Sequence, residues 1–248
     1  MTAELAGTTA LVTGATSGIG RATAVALGEL GAHVLVSGRD TGRGEQVVKE
    51  IAAAGGQATF LASDLADAGS ARDLATRALA VTGHVDVLVN SAGIFPFGPT
   101  EATTEPDFDS VYALNVKAPY FLVAALAPSM VERGGGSIVN VSTMVAEFGA
   151  AGMGLYGSSK AALELLTKAW SAEYGPGGVR VNAVSPGPTR TEGTVAMGEA
   201  LDNLASLAPA GRPAGPQEIA AAIVFLVTGG ASFIHGAVLP VDGGRVAV

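Results

Sequence analysis

Cysteine is absent from the 248-residue chain, which excludes disulfides and thiolate metal sites. Aromatic residues make up 5% and charged residues 15%, so little of the chain is suited to a solvated or disordered role. Basic residues are in the minority: 14 Lys and Arg face 22 Asp and Glu, for a net charge of −8. A nucleic-acid binder presents a basic face, so that class drops out. No stretch reaches about 18 uninterrupted apolar residues, and no membrane span is expected. The opening Met-Thr-Ala-Glu-Leu lacks the basic and apolar parts of a secretory signal, so a cytoplasmic protein is expected. The three histidines, His33, His84 and His235, are scattered and read as structural; with no histidine–carboxylate cluster, no metal is expected.

Glycine and short apolar runs are abundant. There are 35 glycines, pointing to many tight turns and close backbone approaches. Short apolar runs at 8–13, 33–37, 58–62, 85–89, 137–141, 179–184 and 237–241 read as strands covered on both faces. Helical patterns at 18–30, 42–54, 68–82, 108–131, 155–174 and 217–228 alternate with them. Seven strands with interleaved helices predict a single α/β domain over residues 1–248, a doubly wound parallel sheet with helices on both faces. Its first half spans about 1–140 and its second about 141–248. Residues 186–216, with five prolines, read as a long loop with a short helix, the usual form of a lid.

Residues 13–20, TGATSGIG, follow a strand and open a helix, the setting of a dinucleotide-binding turn. Gly14 permits the sharp turn, Gly18 lets backbone approach a pyrophosphate, and Gly20 allows helix and strand to pack closely. Thr16, Ser17 and Ile19 complete the turn, and the helix N-terminus favours an anion. Tyr156 and Lys160, four apart on a helix, share one face, where an ammonium favours the phenolate.

Gly14-x3-Gly18-x-Gly20, Asn90-Ser91-Ala92-Gly93, Tyr156-x3-Lys160, the run Asn182 to Gly187 and the ending Val241-Asp242-Gly243-Gly244 occur in this order. Together they resemble the short-chain dehydrogenase/reductase superfamily over nearly the whole chain. The resemblance implies a Rossmann-type fold and an NAD(P)-dependent oxidoreductase interconverting a carbonyl and an alcohol, a ketoreductase with Tyr156 as general acid and base. It implies that Lys160 also holds the nicotinamide ribose and that Asn115 anchors a water on a proton path. Asp64 and Leu65 would contact adenine; Asn90, Ala92 and Gly93 would flank the cofactor. Pro186, Gly187, Thr189 and Thr191 would lock its carboxamide and a phosphate. Enoyl reductases of the superfamily space tyrosine and lysine more widely than here.

Cofactor choice turns on the end of the second strand. By the resemblance, Gly38 stands where NAD-selecting members carry an acid, and Arg39 follows it, suited to a 2′-phosphate. Asp40 blurs the signal; NADP(H) is favoured, with NAD(H) possible. The catalytic hydroxyl is open between two neighbours. Thr143 lies 13 residues before Tyr156 and 28 after Asn115, the family's spacing, while Ser142 lies one residue off. Two segments, 94–98 and 144–155, should wall the substrate pocket through Phe95, Phe97, Met144, Phe148 and Met153, with Val195 and Met197 from the lid. Such walls predict an apolar small-molecule carbonyl or alcohol. A carrier-protein-bound acyl substrate, as in 3-oxoacyl carrier-protein reductases, is the other option. The family also implies a homotetramer through 108–131, 155–174 and an apolar tail.

Overall fold

The structure is a computed structural model, and it describes residues 4–248. Seven strands form one parallel sheet in the order β3-β2-β1-β4-β5-β6-β7. They are β1 (Thr9–Val12), β2 (His33–Gly38), β3 (Gln57–Ala62), β4 (Val87–Asn90), β5 (Gly136–Val141), β6 (Val179–Pro186) and β7 (Val238–Val241). Between them run α1 (Gly18–Glu29), α2 (Thr41–Ala53), α3 (Ala68–Thr82), α4 (Glu105–Tyr112), α5 (Ala118–Glu132), α6 (Gly154–Tyr174), α7 (Glu199–Ala205) and α8 (Pro216–Val227).

Successive strand side chains point to opposite faces, and the two cores follow from that alternation. Val12, Val34, Val36, Val89 and Val139 face one way, against Leu27 of α1, Ile51 of α2 and Ile223 of α8. Leu11, Leu35, Leu88 and Ile138 face the other, against Leu74 of α3, Leu122 and Leu126 of α5, and Leu163 of α6. Each fully buried leucine or isoleucine contributes roughly 1.5–3 kcal/mol. The run Glu105–Glu132 is long and apolar enough, by length and composition, to cross a membrane, its 18-residue apolar window having a mean hydropathy of 1.3. Half of that window is buried in the fold, and Leu122, Leu126 and Met130 of the run belong to the second core.

The run departs from the expected plain helix at 108–131: Ala113–Lys117 winds as a π turn, which a 3.6-residue period cannot reveal. The lid does contain the expected short helix, α7. Strand order reverses between β1 and β4, so the crevice beyond their carboxyl ends is where this architecture binds ligands.

Candidate active site

A cleft of about 1280 Å³ opens at that crevice and runs from the β1–α1 turn to α6 and the lid. Its first wall is backbone. Gly14 has φ of +64°, and a Cβ on it would lie 2.8 Å from the Ala92 Cα. A Cβ on Gly20 would strike the Gly14 carbonyl oxygen. The turn is therefore closed by glycine alone, and the first turn of α1 carries no side-chain cap from Ser17. Thr16, Ser17, Gly18 and Ile19 line the cleft there. The Thr13 hydroxyl accepts from the amides of Ser91 and Ala92, both at 3.1 Å, and so ties the post-β4 loop to the turn. This cradle fits a dinucleotide pyrophosphate.

At the end of β2, a Cβ on Gly38 would lie 2.5 Å from the Thr16 Cγ2. Any side chain at that position would force Thr16 to shift. Arg39 lines the cleft and makes no ion pair among the described residues. Asp40 is engaged elsewhere: it accepts from the Arg43 amide at 3.0 Å and pairs with the Arg43 Nε at 2.8 Å. Those contacts, the Arg43 amide foremost, hold its carboxyl below the usual range. Arg43, not singled out from the sequence, adds a second cation to this end. Asp64, Leu65, Ala92 and Gly93 line the cleft as well. Asn90 lies behind its wall, donating to the Asn140 Oδ1 at 2.9 Å, while Asn140 donates to Thr167 at 2.8 Å. That buried chain binds β4, β5 and α6 beneath the site.

Tyr156 and Lys160 sit on the first turns of α6. The Lys160 side chain, 3% exposed, donates to the Val141 carbonyl at 2.8 Å, and burial lowers its pKa to about 8. Burial pushes the Tyr156 phenol up to about 12, and the Thr143 hydroxyl pulls the other way. The sequence led us to expect a lysine-driven decrease; in this dry floor desolvation dominates both groups. The neighbouring hydroxyls differ in their partners. Ser142 Oγ donates to Glu164 at 2.6 Å, on the same helix as Lys160 one turn further on. Burial raises the Glu164 carboxyl, and the Ser142 bond opposes that rise.

Asn115 lies in the π turn, fully buried. It accepts from the Ile94 amide at 3.0 Å and donates to the Ile94 carbonyl at 2.9 Å and to Ser159 Oγ at 3.0 Å. It thus clamps the post-β4 loop beside Lys160; a Cβ on Gly93 would lie 3.3 Å from Lys160 Nζ.

The substrate end is walled by side chains. Phe95 meets Tyr156 edge-on, with centroids 6.1 Å apart. The two wall segments join where Gly98 N–H donates to Gly152 at 3.0 Å. Phe97, Met144, Phe148, Met153 and Met197 line the cleft as expected. Val195 does not; it is 72% exposed outside the wall. Its place is taken by Leu201, Leu204 and Leu207, in and just after α7. Pro186, Gly187, Thr189 and Thr191 line the roof. Glu192, also missed, accepts from Gly18 N–H at 2.9 Å and joins lid to α1.

A family model described as Enoyl-(Acyl carrier protein) reductase matches residues 14–245. The D-threitol dehydrogenase of Mycolicibacterium smegmatis is 39% identical over 243 residues, covering 97% of this chain and 94% of that protein. A solved short chain dehydrogenase/reductase family protein is 48% identical, with a TM-score of 0.91 over 99% of this chain and 100% of its own. A blue fluorescent protein from a metagenomic library, solved in complex with NADPH, is 34% identical with a TM-score of 0.93, covering 98% and 99%. Identity of this order along the whole length and on the same fold leaves one conclusion: the chain belongs to the short-chain dehydrogenase/reductase family and is an oxidoreductase.

Proposed function

We propose that the protein is an NADP(H)-dependent ketoreductase and alcohol dehydrogenase, acting on a small ketone or secondary alcohol with an apolar body. The observation that carries this reading is the single cleft running from the glycine turn to the Tyr156 hydroxyl. The turn Gly14–Gly20 would hold the pyrophosphate, Arg39 the 2′-phosphate, Asp64 and Leu65 the adenine, and Lys160 the ribose. Ala92 and Gly93 would flank the cofactor, Asn90 would support them from behind, and Pro186, Gly187, Thr189 and Thr191 would close over the nicotinamide end. The bound cofactor supplies or accepts the hydride. The lack of an acid at Gly38 and the unpaired Arg39 support NADP(H), as does the NADPH in the fluorescent relative; NAD(H) is the weaker alternative.

Tyr156 gives its proton to the carbonyl oxygen in reduction and takes it from the alcohol in oxidation. Burial, which holds the phenol at about 12, keeps it protonated but makes it a weaker acid than free tyrosine, so donation as well as acceptance depends on the charge placed beside it. To act as base it needs positive charge nearby, from Lys160 and from an oxidised nicotinamide. Thr143 is the second hydrogen bond to the reacting oxygen, because Ser142 is engaged with Glu164. Asn115, bonded to Ile94 and Ser159 beside Lys160, would anchor a water linking Lys160 to bulk solvent and so make a proton path. The family model's description names an enoyl reductase, but the four-residue Tyr156–Lys160 spacing favours carbonyl chemistry. A free substrate fits better than one on an acidic carrier, which would need a basic landing patch: Arg133, the basic residue available for it, is taken up by the Val85 carbonyl at 2.8 Å and Asp86 at 3.1 Å. Assembly as a cytoplasmic homotetramer through α4, α5 and α6 belongs to the same reading, supported by exposed Phe108, Tyr120 and Leu165 on those helices.

The test is steady-state turnover of ketones with NADPH and NADH in parallel. Tyr156→Phe should lower turnover by about 10²–10⁴-fold while cofactor binding persists. Alcohol oxidation should rise with pH, because Tyr156 must lose its proton. Lys160→Met should move that rise to higher pH, since the ammonium favours the phenolate. An unmoved midpoint would remove Lys160 from the electrostatic role, and full activity of the phenylalanine variant would overturn the mechanism.

A further inference from the structure

The catalytic end of the cleft has an unusual charge balance for so acidic a chain. The carboxylates in the cleft wall, Asp40 and Asp64, stand at the far end beyond β2 and β3. At the substrate end the charged side chains in the cleft wall itself are Lys160, already bonded to Val141, and Arg245, while Glu164 stands behind Ser142, which donates to it. Arg245 enters the cleft from the final 3-10 turn, Arg245–Ala247. Its guanidinium carbon lies 4.9 Å from the centre of the Phe148 ring, and it makes no ion pair among the described residues.

That position is held rather than incidental. Asp242 is 93% buried, and its two oxygens accept from Gly244 N–H and Val246 N–H, each at 2.8 Å. The nearest carboxylate in sequence is thus spent on the backbone to either side of Arg245 and not on its charge. Gly244 has φ of +87° and abuts Pro209, while Ala210 N–H donates to the Gly243 carbonyl at 3.0 Å. The tail is therefore fastened to the end of the lid. An arginine stacked on an aromatic ring keeps its planar donors free for a planar anion. Phe97, Met153, Leu204 and Leu207 add apolar surface to the wall of the same cleft.

We propose that Arg245 determines specificity by pairing with a carboxylate of the substrate, so that the substrate class is an oxo or hydroxy acid in which an apolar spacer separates the reacting carbon from the anion. This rests on the reductase reading of the cleft and deepens it. The carbonyl lies at Tyr156 and the carboxylate at the Phe148–Arg245 stack, with the spacer along the leucines of the lid.

The experiment uses the full-length protein with NADPH and a series of methyl-ketone acids of increasing chain length, each beside its methyl ester. At the best length, kcat/KM for the acid should exceed that for the ester by about 10-fold or more, the scale of a charge-assisted contact. In Arg245→Met that ratio should fall to about one, mainly through KM for the acid. Arg245→Lys should recover part of it, since charge returns without the fork. Medium-chain carboxylates should inhibit the native protein competitively, and their primary amides should not. Equal or better turnover of esters at every length would overturn the inference and leave the reductase reading intact, as would an unchanged ratio in the methionine variant. Failure of every ketone, acid or ester, to consume NADPH or NADH would overturn both.

Discussion

At the β1–α1 end of the cleft the wall is backbone; at the α6 end it is side chains. Gly14 and Gly20 shape the first by having nothing beyond Cα, and any added atom meets the main chain itself. The second depends on single functional groups: one phenol, one ammonium, and whichever of two adjacent hydroxyls reaches the reacting oxygen. A backbone cradle binds what every dinucleotide has in common, its pyrophosphate. A side-chain wall can be rewritten residue by residue to take a different substrate while the cradle stays as it is. The two ends are also unequally dry. Arg39 and Asp40 face solvent, whereas Lys160 is buried with its pKa down at about 8. Charge therefore acts weakly at the cofactor's adenine end and strongly at its nicotinamide end.

The strongest way to sharpen the contrast is at the hydroxyl pair. Thr143→Val preserves shape and removes the hydroxyl; turnover should fall by about 10²–10³-fold, the weight of one donor aimed at developing charge. Thr143→Ser should keep activity. Ser142→Ala should cost only a few-fold, because Ser142 serves Glu164 instead. Single-turnover rates of hydride transfer measure all three. The reverse ranking, with Ser142→Ala the damaging change, would exchange the two assignments.

A smaller effect is expected at the adenine end. Arg39→Ala should weaken NADPH by about 10–100-fold and leave NADH nearly unaffected, since the 2′-phosphate alone distinguishes them. Fluorescence titration of each cofactor reads this directly. Equal weakening of both would mean that Arg39 stacks on adenine without reading the phosphate. The neighbouring Arg43 would then be the better candidate, although its pairing with Asp40 at 2.8 Å already spends part of its charge.

The same contrast explains what could be read without coordinates. The glycine turn, the Tyr156–Lys160 pair and the seven strands are local patterns, fixed by spacings of a few residues and by strand or helix period. The hydroxyl pair was only partly legible: spacing favoured Thr143, but the Ser142–Glu164 bond spans 22 residues. Val195 was expected in the substrate wall and Leu201, Leu204 and Leu207 were not, because a seven-residue helix among prolines has too few turns to display a face. The π turn at Asn115 is a backbone departure that hydrophobic period does not register. Arg245 gave no signal, since its meaning depends on Phe148, far earlier in the chain.

The mildest prediction concerns the joint between the two ends. Glu192, on the lid, accepts from Gly18 N–H at 2.9 Å and lies 3.8 Å from an Arg21 Nη1. Arg21 is itself held by Glu50 at 2.8 Å, so the lid is fastened to the first turn of α1 through a small charged network. A carboxylate at a solvent-exposed helix N-terminus is worth about 0.3–1 kcal/mol. Glu192 lines the outer groove beside α8, and its hold on the Gly18 N–H fastens the lid to the glycine turn. Glu192→Gln keeps the reach and removes the charge. The lid, which carries Thr189 and Thr191, should open more readily, and NADPH should dissociate about 2–5-fold faster. Hydride transfer in a single turnover should be unchanged. Stopped-flow release of NADPH measures the first, and the deuterium isotope effect on the transfer step measures the second. High salt should shrink the difference between native and variant proteins, because exposed charges are screened. Slower release from the variant would reverse the picture: Glu192 would then act chiefly by repelling the cofactor's phosphates, and the charge at the joint would belong to the backbone-built end of the cleft.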